Sequence, residues 1–271
     1  MKRYILLLLV HFVVLGGVLA QDSISAVAGN DSLTQDSIVV SSPDDAIQLA
    51  NDHYMKDDYH SAIKLYEQAL LNGSSASAYY NLGNAYYKIN EIAPAILNYE
   101  RALLLDPGDD DIRFNLEMAK LKTVDKIDPL GKFFLAKWMN SLRNIYSTNQ
   151  WAWMGIVTFL FFIGCLTLFF FSRKIQWKKI GFYAGIFFLV ATIGSNVFSY
   201  QQKKNLTSRD AAIIFVPMVT IKGSPDKSGT DIVMLHEGTK VYIKSQLGSW
   251  NEVVLENGTV GWIESQVIEI I

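Results

Sequence analysis

The sequence predicts a multi-domain membrane protein of three unlike parts: an all-α array of short helices, a hairpin of two long apolar helices, and a small all-β barrel. Three observations predict it. Small and aromatic residues recur at helical spacing between residues 43 and 122, and two runs, 151–171 and 180–200, contain no charge. From 211 to 271, short β-rich runs alternate with turn signals. Half of the 271 residues are hydrophobic and only 18% are charged, an excess that sits mainly in the two uncharged runs and an apolar leader.

The leader, residues 1–20 (MKRYILLLLVHFVVLGGVLA), opens on Lys2 and Arg3 and ends Val18-Leu19-Ala20, the pattern of a signal peptide cleaved before Gln21. An uncleaved anchor is the alternative, and in both cases the residues that follow are exported. Residues 21–42, rich in Ser, Asp and Gly, read as a disordered tether. Asp22-Ser23-Ile24, Asp31-Ser32-Leu33 and Asp36-Ser37-Ile38 repeat one pattern. It resembles an Asp-Ser/Thr-aliphatic sequon for periplasmic O-glycosylation, which implies Ser23, Ser32 and Ser37 as modification sites.

Residues 43–122 are read as two helical repeats and a capping helix. Counting from Ala76, residues Tyr79, Leu82, Gly83, Tyr86, Ala95, Tyr99, Ala102 and Pro107 alternate small, aromatic and helix-ending types at fixed spacing over 34 residues. This unit resembles the tetratricopeptide (TPR) repeat. The preceding unit carries Leu49, Ala50, Tyr59, Ala62, Tyr66 and Ala69 in register, with His53 where an aromatic is expected; residues 111–122 resemble the first helix of a third repeat. The resemblance implies a superhelix whose concave face binds extended peptides or partner helices. By position that face takes Ile47, Tyr80 and Phe114 in one row, Gln48, Asn81 and Asn115 in the next, and Asn51 and Asn84 in a third. Amides there suit a ligand backbone and aromatics its side chains; the same residues equally suit a merely solvated surface. Asp111 and Asn115 stand where carboxylate-clamping relatives carry cations. From Gln21 to Asp128 the chain has 18 acidic and 8 basic residues, a net of −10, which argues against nucleic acid and for a neutral or basic partner segment.

In residues 123–150, Phe134, Trp138, Leu142, Ile145 and Tyr146 recur at helical spacing with Lys132, Lys137 and Arg143 among them. An interfacial helix on the outer leaflet and a helix packed on the array's cap both fit. The uncharged runs 151–171 and 180–200 are each about 31 Å long as helix, enough to span a bilayer. The loop between them, 172–179 (SRKIQWKK), holds Arg173, Lys174, Lys178 and Lys179 and is therefore expected in the cytoplasm. Both flanks then face the periplasm. A linker, 201–210, leads to the last domain.

Residues 211–271 carry Leu235, Glu237, Gly238, Val241, Trp250, Val253, Gly258, Gly261 and Trp262, a set that resembles the bacterial SH3-like (SH3b) family. The resemblance implies a small barrel that binds cell-wall peptides or proteins, or serves only structurally. Trp262 is expected in its core and Trp250 at a binding groove. No G-x-G-x-x-G, Walker or G-x-S-x-G motif occurs, and the single cysteine, Cys165, lies in an apolar run, so no enzyme, cofactor or metal site is expected.

The order of parts over the whole chain resembles the BatE family of the Bat aerotolerance operon. It implies an inner-membrane protein with von Willebrand A-type membrane partners and, indirectly, a MoxR-type AAA+ ATPase. A non-enzymatic periplasmic scaffold is the first functional expectation, and a peptidoglycan-binding sensor acting through Trp250 is the second.

Overall fold

The structure, a computed structural model, describes residues 42–128, 130–131, 134–208 and 210–271. The leader, the tether and Ser23, Ser32 and Ser37 lie outside the described residues.

Five short helices open the described chain: α1 (Pro43–Met55), α2 (Tyr59–Leu71), α3 (Ala76–Lys88), α4 (Ile92–Leu105) and α5 (Asp110–Leu121). Their starts are written locally. Side-chain oxygens of Ser42, Asp58, Ser75 and Asp109 accept from backbone N–H groups of the first turns of α1, α2, α3 and α5. The turns inside each hairpin place Asp57 and Asn90 at φ of 60° and 66°. The next N–H groups, of Asp58 and Glu91, donate back to His53 O and Tyr86 O, closing both helices with the same left-handed cap.

The array's core has two parts. Ala50, Ala62, Ile63, Leu65, Tyr66, Leu82 and Ala85 form the first. Ala93, Ala95, Ile96, Leu97, Tyr99, Ala102, Ile112, Leu116 and Ala119 form the second. Gly83 lets α3 and α4 cross closely, since a Cβ there would lie 2.7 Å from Tyr99 Cε1 and 3.3 Å from Ala95 O. Gly83→Ala should therefore lower stability in urea by about 1–2 kcal/mol, overpacking outweighing the gain in helix propensity.

An exposed amphipathic helix, α6 (Phe134–Arg143), precedes the two longest helices, α7 (Thr148–Phe171) and α8 (Ile175–Ser208). Both are long and apolar enough to cross a membrane. They outrun the uncharged runs. Helix α7 begins three residues upstream of Trp151, where Ser147 and Gln150 cap it reciprocally, and no proline interrupts the chain from Ile175 to Ser208. Only Ser172–Lys174 separates the pair, and most of the expected linker continues α8. The two helices meet through small residues. A Cβ on Gly181 would lie 2.9 Å from Cys165 O, and Gly155 faces Asn196 and Ser195. Thr192 Oγ1 donates to Thr158 Oγ1 at 3.0 Å. At the far end Trp151 Nε1 and Gln202 Nε2 both donate to Arg143 O, each at 2.8 Å.

The C-terminal residues form seven strands: β1 (Ala211–Ile214), β2 (Met218–Lys222), β3 (Asp231–His236), β4 (Lys240–Leu247), β5 (Trp250–Val254), β6 (Val260–Glu264) and β7 (Ile268–Ile270). They make one antiparallel sheet in the order β3-β2-β6-β5-β4-β1-β7, which corrects the expected closed barrel. Residues of β1 and the chain after β7 also reach the helices. Ile213, fully buried, belongs to the second helical core, and Phe215 and Ile271 pack against it. Leu235, Val241 and Val253 fill the sheet's own core, and Gly238 and Gly258 turn at φ of 83° and 85°. Trp262 corrects a second expectation. Gly261 and Ile263 point inward on β6, so Trp262 stands on the outward face, half-buried, opposite Lys222 and Glu252. Gly261 is needed there, since its Cβ would lie 2.3 Å from Ile221 Cγ2.

Sheet and array therefore share an interface that residues far apart in the chain build. Glu100 of α4, 8% exposed, accepts from Lys240 at 2.7 Å and faces Lys120 at 3.2 Å. Asp125, just past α5, accepts from the His236 backbone N–H at 2.6 Å and from Thr239 Oγ1 at 2.7 Å, and pairs with His236 Nδ1 at 2.9 Å. Arg101 Nη2 donates to Ile270 O at 2.7 Å. A Cβ on Gly238 would lie 2.8 Å from Thr123 Cγ2, so the sheet's turn sits directly on the array.

Candidate protein-binding groove

One motif repeats across the first helices of the hairpins. Tyr66 Oη donates to Asn51 Oδ1, and Asn81 Nδ2 of the next repeat donates to the same oxygen at 3.1 Å. One repeat on, Tyr99 Oη donates to Asn84 Oδ1 at 2.7 Å, and Asn115 Nδ2 joins it at 2.9 Å. Each set ties the second helix of a hairpin to its first and to the first helix of the next. Asn115 Nδ2 also lies 3.0 Å from Tyr80 Oη, and the Tyr80 and Tyr99 rings are 6.1 Å apart. Burial, with the neighbouring Tyr54 oxygen, pushes the Tyr66 phenol up to about 12, and burial also raises that of Tyr99. Both remain O–H donors throughout the neutral range.

The motif consumes one oxygen of Asn51 and one of Asn84. It leaves their Nδ2 groups, and the Oδ1 atoms of Asn81 and Asn115, without a protein partner among the described residues, and none of these atoms is sealed from solvent. Donors and acceptors thus alternate along one face, the requirement for pairing with an extended peptide backbone. Asn84→Ala should strand the buried Tyr99 hydroxyl and the Asn115 amide, lowering stability in urea by about 1–3 kcal/mol, whereas Tyr99→Phe should cost about 0.5–1.5 kcal/mol.

The eight expected face residues divide. Asn51, Tyr80, Asn81, Asn84 and Asn115 come together in the hydrogen-bonded network. Phe114 stands 64% exposed beside it on α5, Ile47 leans into the first helical core, and Gln48 is exposed and takes no part. Sequence reasoning missed the next row: Tyr54, Tyr87 and Leu121 recur one repeat apart, with Met118 one helical turn from Phe114. Their spacing was the available signal. Lys122 Nζ lies 3.9 Å above the Tyr87 ring, and Leu121 is 68% exposed.

Residues 76–109 match the model of the tetratricopeptide repeat family. These are α3, α4 and the turn into α5, so the TPR match covers the middle of the array and the second Tyr–Asn pair. TPR domains are typically non-catalytic modules for protein interaction. Among curated proteins none matches the chain. Among the described residues no three His, Cys, Asp or Glu side chains are placed to hold a metal ion.

On the sheet, Trp250 is half-buried on the outward face of β5, paired across the strands with Glu264. Trp262 shares that face with it, and Glu252 lies opposite Trp262. Lys244 and Lys227 pair with Glu252 and Glu264 at 2.9 and 3.4 Å.

Proposed function

We propose that the protein is a non-enzymatic inner-membrane scaffold whose TPR groove holds an extended, neutral or basic segment of a protein partner. The observation that carries this reading is the twice-repeated Tyr–Asn–Asn network, which presents donors and acceptors in register beside the exposed apolar side chains of Phe114, Met118 and Leu121. Phe114 and Leu121 allow a clean test because they contribute little to folding. Phe114→Asp with Leu121→Asp should leave the unfolding midpoint within about 0.5 kcal/mol of the parent. A photocrosslinker at Tyr87 should capture a discrete protein in cells carrying the parent sequence and lose it in the double variant. Unchanged crosslinks would sink the reading.

In this reading α7 and α8 cross the bilayer and both soluble parts face the periplasm. Two features support that. Arg173 and Lys174 fall in the short connection and Lys178 and Lys179 in the first turns of α8, the bias of a cytoplasmic end. The array before the hairpin and the sheet after it bury Ile213 and Glu100 between them, so both flanks lie on one side. A reporter fused at Ser172 is expected to behave as cytoplasmic and one at Ile271 as periplasmic; a periplasmic signal at Ser172 would reverse the topology. The order of parts, which resembles the BatE family, is the support for reading this scaffold as part of a Bat-type aerotolerance or envelope-stress complex, with von Willebrand A-type partners and a MoxR-type ATPase reached through another subunit.

A second reading rests on Trp250 and Trp262 sharing one face: the SH3-like sheet grips peptidoglycan peptides. Retention of the full chain on purified cell wall, lost in Trp250→Ala, supports it; equal retention of both counts against it.

A further inference from the structure

The helix α6 has two unlike sides. At 100° per residue, Leu135, Trp138, Met139 and Leu142 fall within an arc of roughly 100°, and Lys137, Asn140, Ser141 and Arg143 fill the opposite side. Leu135, Trp138 and Met139 are 51%, 60% and 45% exposed, so neither the array nor the sheet covers them. The polar side is accounted for. Lys137, Asn140 and Ser141 line a cleft of about 960 Å³ whose other wall carries Gly108, Asp110 and Arg113 of the array. The array thus faces α6 from its polar side, and the apolar side looks away from it. Beyond the helix, Gly108 closely abuts the backbone of Ile145, fixing this orientation at its C-terminal end.

That same end is bonded to the hairpin. Arg143 O accepts from Trp151 of α7 and Gln202 of α8, and Tyr146 O accepts from Gln202 at 2.7 Å. The Tyr146 and Trp151 rings meet edge to face at 5.2 Å. Helix α6 therefore ends at the mouth of the hairpin, where aromatic rings with one polar end gather, and its C-terminal end cannot leave that level without breaking these bonds.

We propose that α6 lies in the headgroup–acyl boundary of the bilayer, with Leu135, Trp138 and Met139 turned towards the acyl chains and the cleft above it in water. This rests on α7 and α8 crossing the membrane. The occupant of the apolar face is lipid because the C-terminal end of α6 is bonded to the mouth of an apolar hairpin, whose Trp153, 67% exposed, lies little more than one turn inside α7. The helix then fixes how the soluble body sits against the surface, as a side rail between cleft and lipid.

The test uses the full chain with Cys165→Ala, reconstituted in vesicles of mixed zwitterionic and anionic phospholipid, carrying single nitroxide labels. Labels at Leu135 and Trp138 should collide with dissolved oxygen several-fold more than with an aqueous nickel chelate, and labels at Lys137 and Ser141 should show the reverse. A label at Leu160 in α7 separates the two readings. Lipid exposure at Leu160 with water exposure at Leu135 and Trp138 overturns the proposal while the hairpin still spans. Shielding of Leu135 and Trp138 from both reagents also overturns it, because a second copy or another protein then covers the face. Water exposure at Leu160 ends the membrane reading and this proposal together. None of the labelled α6 side chains is buried in the protein's own core, so an unchanged thermal transition in each unlabelled variant excludes misfolding as the cause of any outcome.

Discussion

Glu100→Ala is expected to destabilise the folded body by about 3–5 kcal/mol, because it leaves the Lys240 ammonium, 19% exposed, without its carboxylate partner and Lys120 with only the longer pair to Glu117 at 3.8 Å. Burial alone would raise the Glu100 carboxyl, but the two lysines outweigh it and hold the group below the usual carboxylate range. The linkage has a definite sign. A depressed native value means the stabilisation is complete above the ordinary glutamate range and is lost as pH falls through the lowered value. Asp125 behaves alike: partial burial opposes ionisation, while Thr239 and His236 hydrogen bonds keep its carboxyl low. Urea midpoints measured from neutral pH downward should fall in the parent and fall less in Glu100→Gln. Replacing Glu100 and Lys240 together by methionine should recover part of the loss, since it removes the uncompensated charge. A Glu100→Ala midpoint equal to the parent's would mean that the sheet is not seated on α4.

The second large effect concerns cooperativity. Ile213→Ala, in a strand, should cost about 2–5 kcal/mol, because the side chain is fully buried in the second core of the helices. The helical signal at 222 nm should report that loss as fully as the tryptophans of the sheet do. Two separate transitions, with the helices melting as in the parent, would show that the array stands without its sheet. For the same reason, fragments cut at the ends of the hairpin are expected to behave worse than either module's family resemblance suggests.

What could be read from the chain follows the range of the interactions. The helices of the array are written in capping residues three positions from their partners and in Gly83, Ala95 and Tyr99, whose types recur one repeat apart. The strands follow from alternation, and alternation also shows why Trp262 faces out: on β6 its neighbours are Gly261, which must admit Ile221, and Ile263. The expectation erred by placing the larger apolar residue inside when the register assigned that side to the smaller ones. The network of the groove was half visible. Its asparagines stand out by position, but the phenols of Tyr66 and Tyr99 that anchor them read as core packing and nothing more. The contact between array and sheet was not visible at all. Asp125 meets His236 at a separation of 111 residues and Glu100 meets Lys240 at 140, through single side chains that no local period marks.

Those separations have a consequence in time. The residues of α4 leave the ribosome long before Ile213 and Lys240, and α7 and α8 lie between them. Until the last strands arrive, Ile96 lacks the cover of the Gly238 turn and Glu100 has only Lys120 as its partner, so the array passes through a stage in which its back is greasy and its carboxylate half-matched. The final fold closes like a clasp, with the hairpin as its hinge and the C-terminal strands as its catch. Synthesis that stalls within α8 would leave a nascent chain unable to shut, a natural substrate for proteolysis.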